Sequence, residues 1–262
     1  MSAELIGPWR LAAGYLLLLI PLGIMLWYGI DLIGKMITAV IRMTVQLLFV
    51  GFYLQVVFEA DNLWLTLGWL VIMILVADVS VIRHCNLRIG RFAAPLYISL
   101  LIGTGVPVLF FVGLILTEPT FLQAQYVIPI GGMVLGNCLR ADVIGLAGFY
   151  NSIRTDEKSF LQSLACGASV SEACLPYFRQ SFRAALMPTL TMMSTVGLVS
   201  LPGMMTGVIL AGASPVAAIG YQITIMISIF TGTSITIALV ILLTMRKCFD
   251  EYGVCIKDIF TE

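Results

Sequence analysis

Charge is what this sequence has least of. Asp, Glu, Lys and Arg make up 11% of the 262 residues, and 60% are hydrophobic. A soluble domain carries roughly 25% charged residues. The chain therefore cannot dress a water-facing surface of ordinary size, and lipid must be its solvent over much of its area. Histidine is nearly absent: His84, in a short basic segment, is the single one, so an HExxH metal site is impossible. The six cysteines include no CxxC pair, which removes the zinc and iron–sulfur patterns. No GxSxG nucleophile elbow occurs. One phosphate-loop look-alike, Gly29-x4-Gly34-Lys35, is followed by Met36 in place of the hydroxyl that ligates Mg²⁺. With 14 basic and 14 acidic residues there is no net basic charge to attract nucleic acid. These absences point away from a self-contained ATPase and from an embedded enzyme, which needs a polar catalytic cluster.

Long apolar runs fill the space. Seven hydrophobic segments are expected at roughly 11–30, 36–58, 63–82, 92–117, 123–148, 184–212 and 216–245. The first is too long for a signal-peptide core and lacks a cleavage site, so it reads as a retained helix. An all-α, polytopic protein of about seven transmembrane helices follows. It is read as one transmembrane domain over 1–262, with too little chain left for a soluble energy-coupling domain.

The basic residues then set an orientation. Lys35, Arg42, Arg83, Arg88, Arg91, Arg140, Arg154, Lys158, Arg179, Arg183, Arg246, Lys247 and Lys257 all fall on or toward one side of a seven-span arrangement. Arg10 alone is left for the other, alongside Glu4, Glu59, Asp61 and Glu118. The positive-inside rule predicts an outside N-terminus, a cytoplasmic C-terminus and a large cytoplasmic loop at 150–183.

Polar and helix-breaking residues within the spans are the candidates for a pathway, because such residues are costly in lipid and turn toward a bundle interior or a cavity. Arg42 and Gln46 share one face of the second segment, and Asn137, Arg140 and Asp142 lie on the fifth. Pairing of Arg42 or Arg140 with Asp78 or Asp142 is the plainer expectation; a polar lining is the alternative. Ser200-Leu201-Pro202-Gly203-Met204-Met205-Thr206-Gly207 breaks the sixth segment, and Gln222 lies on the seventh. The 13 methionines read mainly as flexible filler, although thioethers can also hold soft metals.

The loop carries its own structure. Asp156 to Ser169 reads as a short amphipathic helix with Phe160, Leu161 and Leu164 on one stripe, stopped at Gly167-Ala168-Ser169. A second helix is expected near Ser171, with Glu172 early and Arg179 and Arg183 late. Such a helix–turn–helix on the cytoplasmic face reads as a docking knob.

Several of these runs resemble one family. Val127-Ile128-Pro129-Ile130-Gly131-Gly132-Met133-Val134-Leu135-Gly136-Asn137, the run from Thr195 to Gly207, Arg42-x3-Gln46-Leu47-x2-Val50-Gly51, and Ala211-Gly212-x-Ser214-Pro215-x2-Ala218-x2-Tyr221-Gln222-Ile223 are similar to FetB-type ABC transporter permeases. That family includes bacterial iron-export permeases and plant aluminium-tolerance proteins. Arg140 and Asp142 depart from its pattern, which has small or apolar residues there. The resemblance implies a permease in the cell membrane, most simply a bacterial inner membrane, that binds no cofactor itself. It would work with a second copy of itself and a separate ABC ATP-binding subunit holding ATP and Mg²⁺, and iron is the first candidate cargo. The implied docking residues are Phe160, Leu161, Leu164, Gly167, Ala168 and Ser169. The implied path residues are Arg42, Gln46, Asn137, Pro202, Gly203, Met204, Met205, Thr206 and Gln222; metal ligands stay unknown. The alternative is an ion-coupled secondary transporter, which requires an acidic relay that only Asp78 and Asp142 approach.

Overall fold

A computed structural model of the chain describes residues 7–60, 62–115, 124–212 and 214–249. Among them secondary structure is helical, with isolated bridge residues such as Val196 with Ser200 and no named strand. That follows from the composition: only a helix satisfies its own backbone groups inside lipid. Among the described residues, six helices are long and apolar enough to cross a membrane. The chain divides into two compact units, Met1–Asp61 and Asn62–Glu262.

In the first unit, α1 (Pro8–Tyr15), a tighter turn at Leu16–Leu18 and α2 (Leu19–Trp27) form one apolar span. Gly29, at φ +62, turns the chain into α3 (Ile33–Ala60). Thr44 Oγ1 donates to Val40 O at 2.9 Å, so the 2.6 Å contact between Tyr15 and Thr44 is made by the tyrosine hydroxyl donating. Around this bond, Leu11, Gly14, Leu18, Met43, Leu47 and Leu48 line an apolar groove of about 470 Å³.

In the second unit, α4 (Leu63–His84) starts at Asn62, whose side chain accepts from Trp64 N at 2.9 Å. Then come α5 (Ile89–Phe110), which widens into a π turn at Phe111–Ile115, and α6 (Ala124–Thr155). They are followed by α7 (Glu157–Ala165), α8 (Val170–Thr195), α9 (Gly203–Leu210) and α10 (Pro215–Cys248). The last helix has 34 residues, about 51 Å at the α-helical rise, and the hydrocarbon core is about 30 Å thick. It packs on α5, α6, α8 and α9, and α6 packs on α4, α5 and α8. Phe92, Phe149 and Tyr150 form an edge-to-face aromatic cluster at one end of the shared core.

Glycines permit the tightest crossings. A Cβ on Gly103 of α5 would stand 2.9 Å from Gly232 O of α10, and one on Gly232 would stand 2.6 Å from Gly103 O. A Cβ on Gly145 of α6 would overlap Ile237 of α10. These positions tolerate only hydrogen, the small-residue contact that membrane helices use for close approach.

The structure redraws the expected span at 184–212. The continuous helix α8 begins far earlier, at Val170, and carries Glu172, Arg179 and Arg183, so α8 falls outside the six spanning helices. The apolar run that follows is interrupted at Val196–Pro202 before α9. Gly197 at φ +89 and Pro202, which drives the preceding residue out of the helical region, make that break.

Candidate functional site

The segment joining α6 to α8 folds as a helix–turn–helix, as its sequence predicts. α7 ends in a Schellman turn: Gly167 N donates to Leu164 O at 2.9 Å and Ala168 N donates to Ser163 O at 3.1 Å. Gly167, at φ +93, takes the left-handed position that turn needs. Two residues later Ser169 caps α8 in a reciprocal box with Glu172. Ser169 N donates to Glu172 Oε2 at 2.8 Å, and Glu172 N donates to Ser169 Oγ at 3.3 Å. The Ser169 hydrogen bonds hold the Glu172 carboxyl below its usual range.

The base of the knob is tied down by Asp156. Tyr177 Oη, on α8, donates to Asp156 Oδ2 at 2.9 Å, and Ser159 Oγ donates to Oδ1. These bonds, Ser159 first, keep the Asp156 carboxyl below its ordinary value. Burial, and then the bond to Asp156, pushes the Tyr177 phenol up to about 12.

The six residues expected to dock a partner divide into two groups. Phe160 is 1% exposed and packs against Tyr177 and Phe249, with ring centroids 6.2 and 5.7 Å apart. Leu164 also leans on the core, and Ala168 is half-buried. Leu161, Gly167 and Ser169 remain exposed, next to Gln162, Ala165 and Cys166. Thus the apolar stripe that reads as a docking face in sequence is largely the face that anchors α7 to its own chain.

The expected path residues are spread over both units. Arg42 and Gln46 lie on α3 and are exposed within the first unit, on the side away from the Tyr15–Thr44 bond. In the second unit, Asn137 on α6 is half-buried, and its Nδ2 donates to Met133 O of its own helix at 2.8 Å. Gln222 on α10 is buried, and its Oε1 lacks a hydrogen-bond partner. Pro202 caps α9, and Gly203, Met204, Met205 and Thr206 form its first turn. Thr206 Oγ1 bonds back to Gly203 O at 2.9 Å. Since α9 packs along α10, the broken segment and Gln222 lie on neighbouring helices. No hydrogen bond joins Asn137, Thr206 and Gln222 to one another among the described residues.

Pairing of Arg140 with Asp142 does not occur. Arg140 is exposed, while Asp142, two residues on and so on the other side of α6, is wholly buried with no hydrogen-bond partner for either oxygen. Thr236 of α10 is its polar neighbour, but the Thr236 hydroxyl donates to Thr233 O at 3.2 Å. Asp78, on α4, is also buried with an unpartnered Oδ1. Among the described residues, no group of three or more His, Cys, Asp or Glu side chains could hold a metal ion. The glycine crossings around Asp142 escaped the sequence reading. The run Thr231-Gly232-Thr233-Ser234-Ile235-Thr236, small and hydroxylated inside an apolar span, was the signal for them.

Residues 8–249 match the family described as Uncharacterised protein family (UPF0014). The chain belongs to the UPF0014 family. Within it, the chain is 34% identical to UPF0014 membrane protein slr1647 of Synechocystis over 86% of its own length and 87% of that protein. It is 34% identical to the Probable iron export permease protein FetB of Escherichia coli, over 80% of each chain. It is 33% identical to Protein ALUMINUM SENSITIVE 3 of Arabidopsis thaliana, over 80% of this chain and 76% of that one. No solved structure matches. This UPF0014 chain is thus a multi-pass membrane protein, built of apolar helices and similar to curated membrane proteins over most of its length.

Proposed function

We propose that this chain is the permease subunit of an ABC transporter, exporting a metal ion with ATP hydrolysed by a separate subunit. The observation that carries the reading is the α7–turn–α8 knob. It is a short, rigidly capped helical hairpin, anchored inward by Phe160 and offering Leu161, Cys166, Gly167 and Ser169 outward, in a chain otherwise made of membrane helices. Similarity to a protein named as an iron export permease makes iron the first cargo to test. In this reading the C-terminus and the knob are cytoplasmic, the N-terminus is outside, and the chain sits in a bacterial inner membrane as a pair of copies. ATP and Mg²⁺ bind the partner; this chain supplies the path. Closure of two ATP-binding subunits drives the two knobs together, and the break at Val196–Pro202 relays the motion to α9 and α10. Arg42, Gln46, Asn137, Gln222 and the Pro202–Thr206 turn are the residues assigned to the path.

The experiment is affinity capture of the tagged chain, identification of any co-purifying ABC ATPase, and comparison with Leu161→Asp. Leu161 is exposed, so the change spares the fold. Expected are loss of the ATPase from the complex and loss of metal export, read as raised cellular iron. An unchanged complex with unchanged ATP turnover removes the docking assignment. Unchanged iron content on deletion and on overexpression with the ATPase removes the cargo. An ion-coupled carrier is the second reading, favoured by the buried carboxylates of Asp78 and Asp142; transport by the chain reconstituted without any ATPase would establish it instead.

A further inference from the structure

We propose that Asp142 is an intramembrane proton-binding site, whose occupancy is coupled to the closed crossing of α5, α6 and α10. The argument begins with geometry. Asp142 is 0% exposed, and both carboxyl oxygens lack a hydrogen-bond partner. On α5, Thr104 is 4% exposed and its hydroxyl is likewise unpartnered. Cys138, one turn back on α6, adjoins Thr104, Thr236 and Asp142, which places these four side chains in one buried cluster.

A carboxylate taken out of water without partners carries a large desolvation penalty even after relaxation. Three ligands could relieve it: a basic side chain, a metal ion or a proton. Among the described residues no basic side chain adjoins it. The titratable groups that face it are the thiols of Cys138 and of Cys85, which lies just past α4. On α10 it meets Thr236; Thr104 of α5 is linked to it through Cys138, and Ala185 is what α8 brings against the next turn of α6, at Gly145. Arg140 lies on the exposed side of its own helix. An ion needs room, and this crossing is packed so closely that even a methyl at Gly232 would stand 3.3 Å from Cys138 Sγ and 2.6 Å from Gly103 O. A proton needs no volume. It turns the carboxylate into a neutral acid that the site accommodates, beside the Thr236 hydroxyl of α10.

A consequence follows for movement. Ionising Asp142 requires water, and water enters only if α10 parts from α5 or α6. Parting these helices therefore releases one proton per chain, and closing them takes one up. The inference concerns the packed bundle and holds whichever energy source drives the chain.

The test is infrared difference spectroscopy of the purified chain at neutral pH, wild type against Asp142→Asn. The amide has the shape of the neutral acid, so the variant keeps the packing. Expected is one protonated-carboxyl carbonyl band in the wild type, shifted in D₂O, absent from Asp142→Asn and retained in Asp78→Asn. A parallel set of melts should show the wild type losing thermal stability relative to Asp142→Asn as pH is raised into the alkaline range. Identical carbonyl spectra for wild type and Asp142→Asn overturn the proposal, as do melting curves that stay superimposed across pH. Should Asp142→Asn fail to fold, carboxyl-¹³C aspartate in an Asp78→Asn background reads the same band. If no protonated aspartate band shifts with the label, the proposal is wrong.

Discussion

Replacing Gly103 with Ala should destabilise the bundle, although the same change in an open helix position would stabilise it. The new Cβ would stand 2.2 Å from Thr236 Cγ2, 2.9 Å from Gly232 O and 3.1 Å from Thr236 N. The methyl of Thr236 could in principle turn away, but its hydroxyl is bonded to Thr233 O. The other two atoms are backbone of α10 and move only with the helix. Ordinary van der Waals contact is about 3.5–4.0 Å, so α5 and α10 must separate by roughly half an ångström or more. Overpacking of this kind costs about 1–3 kcal/mol. Alanine recovers up to about 1 kcal/mol through helix propensity, so the net loss is about 0–2 kcal/mol. The control is Gly136→Ala, inside α6 with nothing within 4 Å of the new methyl, which should gain a few tenths to about 1 kcal/mol. The difference between the two variants is the packing term, about 1–3 kcal/mol. Thermal unfolding in one detergent, followed by loss of the monodisperse peak on size exclusion, measures both. For a chain of this size each kcal/mol corresponds to roughly 2–4 °C. Equal midpoints for Gly103→Ala and Gly136→Ala would falsify the claim that α5 and α10 touch through their backbones.

The knob allows three further checks. Phe160→Ala should cost about 3–5 kcal/mol through lost burial, whereas Leu161→Asp should leave the melting temperature nearly unchanged; a reversed order would mean α7 is rotated from the orientation described. Gly167→Ala forces an L-residue to φ +93 and should cost about 1 kcal/mol, and Ser169→Ala about the same through the lost cap. Both changes should speed amide exchange at the start of α8 without altering exchange in α10. The Asp156 tether depends on a carboxylate held below its usual range. Its contribution is fully present above the usual carboxylate range and is lost progressively as pH falls from that range through the lowered value. Tyr177→Phe removes one of its two side-chain bonds and should shift that loss toward higher pH, read as proteolysis at the turn between α6 and α7.

Much of this protein was legible in its residues. Lipid as solvent followed from scarce charge, and helices followed from lipid. The extents of α3 and α4 follow from where apolar runs meet Lys35 and Arg83, whereas α6 runs past the expected end at 148 to Thr155; the hairpin at α7–α8 follows from Gly167 and from Ser169 with Glu172, because caps and turns are local chemistry. Family membership was legible for the same reason, as runs such as Thr195 to Gly207 survive as sequence.

What the residues could not decide were questions of facing. Phe160 and Leu161 are adjacent and equally apolar, yet one is core and the other surface, because only the docked positions of α8 and Phe249 determine which side of α7 is covered. Arg140 and Asp142 look like a ready ion pair, but the rotation of α6 sends one outward and buries the other against α10. Gly103 and Gly232 lie far apart in the chain, and only helix packing shows that both are there to let two backbones meet. Periodicity along one helix specifies that it has a buried face; the partner that buries it, and so the chemistry of a residue such as Asp142, is a property of the assembled bundle.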